Sequence, residues 1–123
     1  MLYGINHVAL IVSKEECLEF YKKLGFIEKS RVFREDKNDY LIMMENGTAV
    51  LEVFLKDDAP LRLCKPEAYG CRHIAFDVDN VDDILELLKD YDCQKIRTTE
   101  SGRRFVFVND LDNQPVEFLE KIG

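Results

Sequence analysis

Two similar stretches decide the fold of this chain: GINHVALIV at residues 4–12 and GCRHIAFDV at residues 70–78. Both fit the pattern G-x-x-H-(V/I)-A-(L/F)-x-V, and together they contain the only two histidines in the sequence, His7 and His73. Each stretch is typical of a β-strand and is followed by a helical stretch and then by three strand-like stretches. The sequence therefore predicts two copies of one βαβββ module.

A glutamate between apolar neighbours marks the last predicted strand of each copy, in VLEVFL at residues 50–55 and PVEFLE at residues 115–120. His7 precedes Glu52 by 45 residues, and His73 precedes Glu117 by 44 residues. Because the copies agree both in residue type and in spacing, chance is a poor explanation. The pattern indicates an internal repeat in which one His and one Glu occupy equivalent positions in each module.

The first module is predicted to occupy residues 3–56. Ser13 and Glu16 have the spacing of a capping box, which would begin a helix, and Gly25 is a typical residue to end it. The run Glu45-Asn46-Gly47 is a hairpin signal. The predicted elements are a strand at residues 3–12, a helix at 14–24 and strands at 26–35, 39–45 and 48–55.

A linker at residues 57–69 is predicted to join the modules, because this stretch contains two prolines and shows no hydrophobic period. The second module follows at residues 70–121, with Asp79 or Asn80 capping its helix and Asp112-Asn113 forming its last turn. The predicted elements are a strand at residues 71–78, a helix that ends near 91 and strands at 93–99, 103–109 and 115–121. The 123 residues are enough for one compact domain, 1–123.

The composition indicates an ordinary globular protein, with 46% apolar and 33% charged residues. No apolar run approaches the ~20 residues needed to cross a bilayer. The opening sequence MLYGINHVALIV lacks the basic region and the small-residue cleavage site of a signal peptide. We therefore expect a cytoplasmic protein that makes no membrane contact.

The net charge of −7 disfavours nucleic acid as a partner, because it repels phosphate backbones and no basic stripe offsets it. The run RFVFV at residues 104–108, preceded by Arg103, superficially resembles an aromatic nucleic-acid-binding face. Two arginines beside a strand are more often a solvated strand end or a contact for a substrate anion. We therefore expect a small-molecule substrate and no nucleic acid.

The four cysteines are expected to be reduced thiols, since none forms a CxxC pair and no histidine lies at zinc-finger spacing from them. Cys17 falls on the apolar side of the first predicted helix and should be a core residue. Cys71 precedes His73 by two residues, so an extended strand would place both on one face. A small strand residue with no chemical role is the simpler interpretation of Cys71.

The His–Glu pairs suggest a metal site. Strand alternation places Phe54 on the face of Glu52 and Leu119 on the face of Glu117, and a carboxylate among apolar neighbours costs free energy unless it is paired or binds a cation. Taken singly, a strand histidine is usually a satisfied core residue and a strand glutamate a solvated one. The recurrence of both in two modules favours metal ligands. Two imidazoles and two carboxylates suit Ni²⁺, Co²⁺ or Zn²⁺, with Mn²⁺ or Fe²⁺ as alternatives.

Several motifs resemble those of the vicinal oxygen chelate superfamily. They are the paired βαβββ plan, HVALIV at residues 7–12, F-Y-x-x-L-G-F at 20–26 and DLDNQPVEFLE at 110–120. The last is similar to the D-P-D-G-x-x-(I/V)-E-(L/F) signature of that family and departs from it at Leu111 and Asn113. Three further segments are similar to small bacterial proteins of the glyoxalase I (lactoylglutathione lyase) type: VFRED at 32–36, KPEAYGCRHIAFDVD at 65–79 and RRFVFVNDLD at 103–112.

The resemblance implies the α+β glyoxalase/bleomycin resistance protein/dihydroxybiphenyl dioxygenase fold, in which cup-like sheets enclose one divalent metal. The implied metal ligands are His7, Glu52, His73 and Glu117, a set similar to that of bacterial glyoxalase I. The implied activity is a carbon–sulfur lyase for methylglyoxal detoxification, which converts the hemithioacetal of methylglyoxal and a thiol (glutathione or another) to a 2-hydroxyacyl thioester. By analogy, Glu117 is the better candidate for the proton-transferring base, with Glu52 as its symmetry mate. Members of this size are usually homodimers, often with each metal site shared between modules of two chains.

Other functions within the resemblance stay open. Thiol transferases and dioxygenases of the superfamily use three protein ligands, and Glu52 fills a position that these enzymes leave open. A non-enzymatic protein that binds a small molecule, as resistance proteins do, is the remaining alternative.

The residues that would bind a substrate anion are harder to place. Glyoxalase I enzymes that use glutathione carry an arginine shortly after the first ligand, whereas here Ile11 stands four residues after His7. Lys56 stands at the matching distance from Glu52. The candidate anion-binding residues are therefore other arginines: Arg72, Arg103 and Arg104, and further Arg31 and Arg34.

Overall fold

The computed structural model describes residues 1–121, which fall into two compact units, Met1–Pro60 and a second unit that begins at Leu61. Each unit contains one β-sheet and one short α-helix. The predicted α+β class, with strands outnumbering helices in each half, is therefore confirmed.

Unit 1 is a four-stranded sheet with one helix. Its elements are β1 (Val8–Val12), α1 (Cys17–Lys23), β2 (Ile27–Arg34), β3 (Asp39–Asn46) and β4 (Ala49–Leu55). The order across the sheet is β1-β4-β3-β2, with β1 parallel to β4 and the other neighbours antiparallel. The last strand of the unit therefore lies beside the first, and Val8 at the start of β1 is the partner of Leu51 in β4.

Alternation along β4 separates the core of unit 1 from its other face. Leu51 and Val53 are buried on one side, whereas Val50, Glu52 and Phe54 are half-buried on the other. The remaining buried apolar residues of α1 and β3 are Cys17, Leu18, Phe20, Tyr21, Ile42 and Met44. The prediction that Cys17 is a core residue is confirmed, and α1 covers the Leu51 side of the sheet.

Unit 2 repeats this plan with a first strand and a helix of the same lengths as in unit 1 and with shorter strands after the helix. Its elements are β5 (Ile74–Val78), α2 (Val81–Leu87), β6 (Asp92–Cys93), β7 (Arg97–Thr98), β8 (Arg104–Asn109) and β9 (Pro115–Glu120). The order is β5-β9-β8-β6, with β7 also paired to β8 and with β5 parallel to β9. The core consists of Val81, Leu88, Val106, Val108, Val116 and Phe118. Glu117 lies between the last two, on the opposite face of β9.

The first strand of each unit is shorter than predicted. The strand predicted at residues 3–12 begins at Val8, and the strand predicted at 71–78 begins at Ile74. Within residues 1–121 β1 pairs with β4 and β5 pairs with β9, and these two parallel ladders begin at Val8 and at Ile74. His7 and His73 each lie one residue before the strand, instead of within it.

The strand predicted at residues 93–99 is divided by a β-bulge. Cys93 is the partner of Val108 and Arg97 is the partner of Phe105, so four steps along one strand face three along the other. One residue is therefore extra, which leaves the ladder between β6 and β7 irregular.

Both helices are shorter than predicted. The capping box of Ser13 and Glu16 is wrong: Glu16 occupies the N-cap position of α1, and its side chain makes no capping hydrogen bond in the described chain. The amides of Cys17 and Leu18 donate instead to carbonyls three residues back, so residues 14–16 form a turn that precedes the helix. In α2 the predicted cap is confirmed, because Asn80 Oδ1 accepts from the amides of Asp82 and Asp83 at 2.7 Å and 3.2 Å.

The predicted turns are confirmed. Gly25 follows α1 with φ of +96°, and Gly47 lies between β3 and β4 with φ of +58°. Asn113 has φ of +63° in the turn before β9, where the Asp110 carboxylate accepts from two amides of the same turn. The four cysteines form no disulfide within residues 1–121, as predicted. Neither helix of that described stretch has the length and apolar character needed to cross a membrane.

Candidate metal centre

Unit 1 brings His7 and Glu52 together at the start of β1. Ala9 is the partner of Glu52 in the parallel ladder, and His7 lies two residues before Ala9. The side chains of His7 and Glu52 therefore lie on the same face of the sheet. His7 Nε2 lies 3.7 Å from Glu52 Oε1. The other ring nitrogen, Nδ1, donates to Asn6 Oδ1 at 2.8 Å. This donation leaves a lone pair on Nε2, the atom that faces the carboxylate.

Unit 2 brings His73 and Glu117 together in the same way. Ala75 in β5 and Phe107 in β8 are the partners of Glu117 in the two flanking ladders. His73 Nε2 lies 3.1 Å from Glu117 Oε1, and the Phe107 ring packs edge-on to the imidazole with 4.9 Å between centroids. Both members of this pair are mostly buried, with side-chain exposures of 26% and 17%. The aromatic ring thus holds the imidazole beside the carboxylate.

Both pairs lie on the sheet face opposite the helix of their unit. Glu52 has Met43 as its cross-strand partner in β3, so apolar or small side chains flank it on both sides. Alanine at positions 9 and 75 leaves space beside each carboxylate, because its side chain is a single methyl group. A half-buried carboxylate in such surroundings requires a proton donor or a cation. The neighbouring imidazole can meet either need: its Nε2 donates to the carboxylate when protonated, and joins the carboxylate as a ligand for a cation when it carries a lone pair.

The donor chemistry of each pair fits a transition-metal ion. Neutral imidazole nitrogen and carboxylate oxygen are ligands that Ni²⁺, Co²⁺, Zn²⁺, Mn²⁺ and Fe²⁺ accept. Metal-binding histidines typically donate their second ring N–H to a nearby oxygen, as His7 Nδ1 does to Asn6. The structure assembles the four predicted ligands as two pairs, one in each unit. Within residues 1–121 it contains no group of three or more His, Cys, Asp or Glu side chains placed to hold one ion.

The three arginines predicted to bind substrate are all engaged by acceptors of this chain. Arg72 forms an ion pair with Glu67 in the segment before β5, and this contact raises the pKa of its guanidinium. Arg103 donates to the Glu120 backbone oxygen at 2.7 Å and to the Asp77 carboxylate at 3.3 Å. Both contacts tie these side chains to unit 2 itself.

Arg104 lies on the helix side of the unit 2 sheet. It donates to Glu120 in β9 and to Asp82 in α2, and these hydrogen bonds to the two carboxylates raise its pKa. Arg104 lowers the pKa of Glu120 in return, as does the Val81 amide that donates to the same carboxylate. Glu120 is three residues from Glu117 and faces the other way, so Arg104 secures the helix on the face away from the His73–Glu117 pair.

Two other arginines pack over aromatic rings on the faces that carry the His–Glu pairs. In unit 1 the Arg34 guanidinium carbon lies 4.6 Å from the centroid of Phe54, which is two residues from Glu52. In unit 2 that of Arg97 lies 5.0 Å and 5.6 Å from the centroids of Phe105 and Phe107. Sequence reasoning did not single out Arg97, because the bulge before it changes which face it occupies.

The charge of Arg34 is balanced within unit 1. Asp39, with 3% of its side chain exposed, accepts two hydrogen bonds of 2.7 Å from Arg34. These charge-assisted bonds lower the pKa of Asp39. Arg34 is therefore a structural cation that joins β2 to β3.

Replacing Asp39 with Asn should lower stability most at neutral pH. The folded pKa lies below the unfolded value of about 3.9, so the contribution is complete above that value and disappears as pH falls through the folded pKa. Urea unfolding between pH 7 and pH 2 measures this. The difference in unfolding free energy between wild type and Asp39→Asn should shrink on acidification. Asp90→Asn, at an exposed position, should give a small difference with little pH dependence. A difference for Asp39→Asn that stays constant to pH 2 would contradict the assignment.

A cavity of about 410 Å³ in unit 1 lies apart from the His7–Glu52 pair. Its aromatic wall is formed by Phe33 and Tyr40, whose rings pack edge-to-face at 5.0 Å. Tyr40 alternates with Leu41, the partner of Phe54, so it faces the opposite side of the sheet from Glu52. Donor chemistry, and not cavity volume, therefore identifies the candidate metal centre.

Comparison with known proteins gives one consistent result. Residues 4–118 match the family model described as the Glyoxalase/Bleomycin resistance protein/Dioxygenase superfamily. The chain is 38% identical over 127 aligned positions to the uncharacterized protein YwkD of Bacillus subtilis, covering 98% of this chain and 99% of that one. It is 35% identical to the uncharacterized protein YaeR of Escherichia coli, covering 98% of each chain.

Solved structures agree with the sequence matches. A glyoxalase family protein from Enterococcus faecalis superposes with a TM-score of 0.87 at 31% identity, covering 95% of this chain and 97% of that one. The fosfomycin resistance protein FosX of Listeria monocytogenes, in complex with Mn(II) and 1S,2S-dihydroxypropylphosphonic acid, superposes with a TM-score of 0.75. That likeness, at 20% identity and covering 96% and 92% of the two chains, concerns the fold alone.

Proposed function

The chain belongs to the glyoxalase/bleomycin resistance protein/dioxygenase superfamily, and on that premise we propose that it is a metal-dependent lyase of the glyoxalase I type. The superfamily contains many metalloenzymes. The proposed reaction converts the hemithioacetal of methylglyoxal and a thiol, glutathione or another, to a 2-hydroxyacyl thioester. The proposed setting is methylglyoxal detoxification in the cytoplasm by a homodimer.

The observation that carries the proposal is the repeated His–Glu pair. Each unit places its one histidine within 3.7 Å or 3.1 Å of a glutamate, on the sheet face away from its helix. We propose that His7, Glu52, His73 and Glu117 together are the protein ligands of one divalent ion. Four such ligands leave coordination positions for substrate oxygens if the ion is octahedral, which a catalytic site needs. A bound ion would polarise those oxygens as a Lewis acid.

The proton transfer is assigned to Glu117, with Glu52 as its counterpart in unit 1. The reaction is an isomerisation: the carbon bonded to sulfur loses a proton, and the neighbouring carbonyl carbon gains one. One carboxylate can take the proton from the first carbon and return it to the second, while the hydroxyl proton of the first carbon moves to the oxygen of the second, so that all atoms are retained. Glu117 Oε1 faces His73, whereas its Oε2 has no hydrogen-bond partner within residues 1–121 and is available for the proton. Tight packing of Phe107 on His73 keeps the pair in place during this exchange.

The proposal is tested by metal content and turnover measured on the same preparation. Protein purified without a metal-binding tag is analysed by mass spectrometry, loaded with Ni²⁺, Co²⁺ or Zn²⁺, and assayed for thioester formation from methylglyoxal and glutathione. We expect about one ion per chain and metal-dependent turnover. Metal binding without turnover, with glutathione or with other thiols, would contradict the lyase assignment. A protein that binds no metal after loading would contradict the metal site as well.

A further inference from the structure

The face of unit 2 that carries His73 and Glu117 also carries the guanidinium of Arg97. We propose that Arg97 binds an oxyanion of the substrate, either a carboxylate or a phosphate-type group, and so determines specificity. This inference rests on the proposed function, because it names a substrate group that the same site would recognise.

The bulge between β6 and β7 places Arg97 on this face. Without the extra residue, the pairing of Cys93 with Val108 would continue in register, and Arg97 would face Arg104 on the helix side. With it, Arg97 is the partner of Phe105, and Phe105 is the partner of Leu119, two residues from Glu117. β-Bulges are over-represented beside active sites, where they redirect a side chain. Here the bulge places the Arg97 guanidinium on the sheet face that carries the His73–Glu117 pair.

Contacts through one aromatic ring connect Arg97 to the proposed ligands. The guanidinium carbon lies 5.6 Å from the Phe107 centroid, and that centroid lies 4.9 Å from the centroid of His73. The guanidinium is therefore at most about 10.5 Å from the imidazole, the total of these two distances. A substrate held at His73 therefore needs to extend no further than this distance to place an anionic group at Arg97.

The charge of Arg97 is not balanced within the described chain. Arg34, Arg72, Arg103 and Arg104 each have a carboxylate partner. Arg97 has no carboxylate partner among residues 1–121, and its side chain belongs to an exposed residue. Cation–π contacts with Phe105 and Phe107 position the guanidinium, and no carboxylate within residues 1–121 accepts from its N–H groups. A planar guanidinium held in this way suits two-pronged binding of a carboxylate or phosphate.

The test compares binding of charged and neutral ligands, without turnover. The protein as purified is titrated calorimetrically with S-methylglutathione, with its diethyl ester and with inorganic phosphate. The variants are Arg97→Met, which keeps an apolar stem, Arg97→Lys, which keeps the charge, and Lys89→Gln. Lys89 lies on the surface just after α2 and forms an ion pair with Glu86. Its variant therefore controls for the loss of one positive charge in unit 2.

We expect Arg97→Met to weaken binding of S-methylglutathione about 10- to 100-fold while leaving binding of the ester unchanged. Arg97→Lys should give an intermediate loss, and Lys89→Gln should match wild type. Phosphate binding that depends on Arg97, with no binding of either peptide, would support the oxyanion role and identify a phosphate-type group. Equal losses for acid and ester would show a structural role and overturn the proposal, as would wild-type affinity in Arg97→Met or no binding of any probe to wild type. Because no step requires turnover, failure of the methylglyoxal assay leaves this result interpretable.

Discussion

Replacing Glu117 with Gln should reduce the metal content from about one ion per chain to close to zero and lower turnover at least ~100-fold. Glutamine keeps the size of the side chain, but its neutral amide is a poor ligand and cannot accept a proton. His73 Nε2, 3.1 Å from the carboxylate, would lose the charged partner beside it. Metal analysis by mass spectrometry and the thioester assay, on the same metal-loaded samples, measure both effects.

Glu120→Gln is the matched control for this prediction. Glu120 belongs to the same strand and lies three residues further on, but it faces α2 and binds Arg104 and the Val81 amide. Its replacement should lower the unfolding free energy while leaving the metal content at the wild-type value. Equal loss of metal from both variants would point to a general effect on β9. Full metal retention in Glu117→Gln would remove Glu117 from the ligand set.

The number of bound ions tests whether the two His–Glu pairs act together. If His7 and Glu52 share one ion with His73 and Glu117, His7→Ala should lower the metal content as strongly as Glu117→Gln does. About two ions per wild-type chain, with half lost in each variant, would mean that each pair binds its own ion. The first result supports the four-ligand set proposed above, and the second contradicts it.

The sequence predicts the His–Glu pairs because two regular periods fix them. Strand alternation assigns Glu52 and Glu117 to one face, and the repeat places a histidine at the same position of each module. The parallel pairing of first and last strands then brings each pair within reach. Both units pair their first and last strands in this way, so recognising the repeated module in the sequence is enough to predict that each histidine lies near its glutamate.

The role of the arginines could not be predicted in this way. Arg103 and Arg104 stand beside a strand that the sequence locates well, but their partners Asp77 and Glu120 come from other strands. Arg97 depends on a one-residue bulge, which inverts the face of every residue that follows it. Local sequence gives no signal for that bulge, because the change of register between Cys93 and Arg97 is a property of the ladder with β8.

Helix ends show a similar limit at a smaller scale. Asn80 caps α2 as predicted, since an Asn followed by Val81 and two acidic residues favours both the cap and the first turn. Ser13 and Glu16 have the right spacing for a capping box but stand in a turn that precedes α1. Whether the residues before a helix cap it or form a separate turn depends on where the preceding strand ends. The position of that end is set by the pairing of strands within the sheet.

Leu88→Ala, at the C-cap of α2, should lower the unfolding free energy by about 2–5 kcal/mol. Leu88 is fully buried at the C-cap of this helix, and truncation would leave a cavity between α2 and the sheet. The neighbouring Leu87 is 42% exposed, so Leu87→Ala makes the same chemical change with a loss of less than about 1 kcal/mol. Urea unfolding of both variants, each compared with wild type, measures the difference.

In a chain with a total stability of about 5–15 kcal/mol, the Leu88 variant should also unfold roughly 10 °C lower. Its metal content at low temperature should equal that of wild type, because α2 lies on the face away from Glu117. Similar losses for the two leucines would contradict the assigned core of unit 2, whereas loss of metal from the folded Leu88 variant would show that the helix face and the ligand face of β9 are coupled.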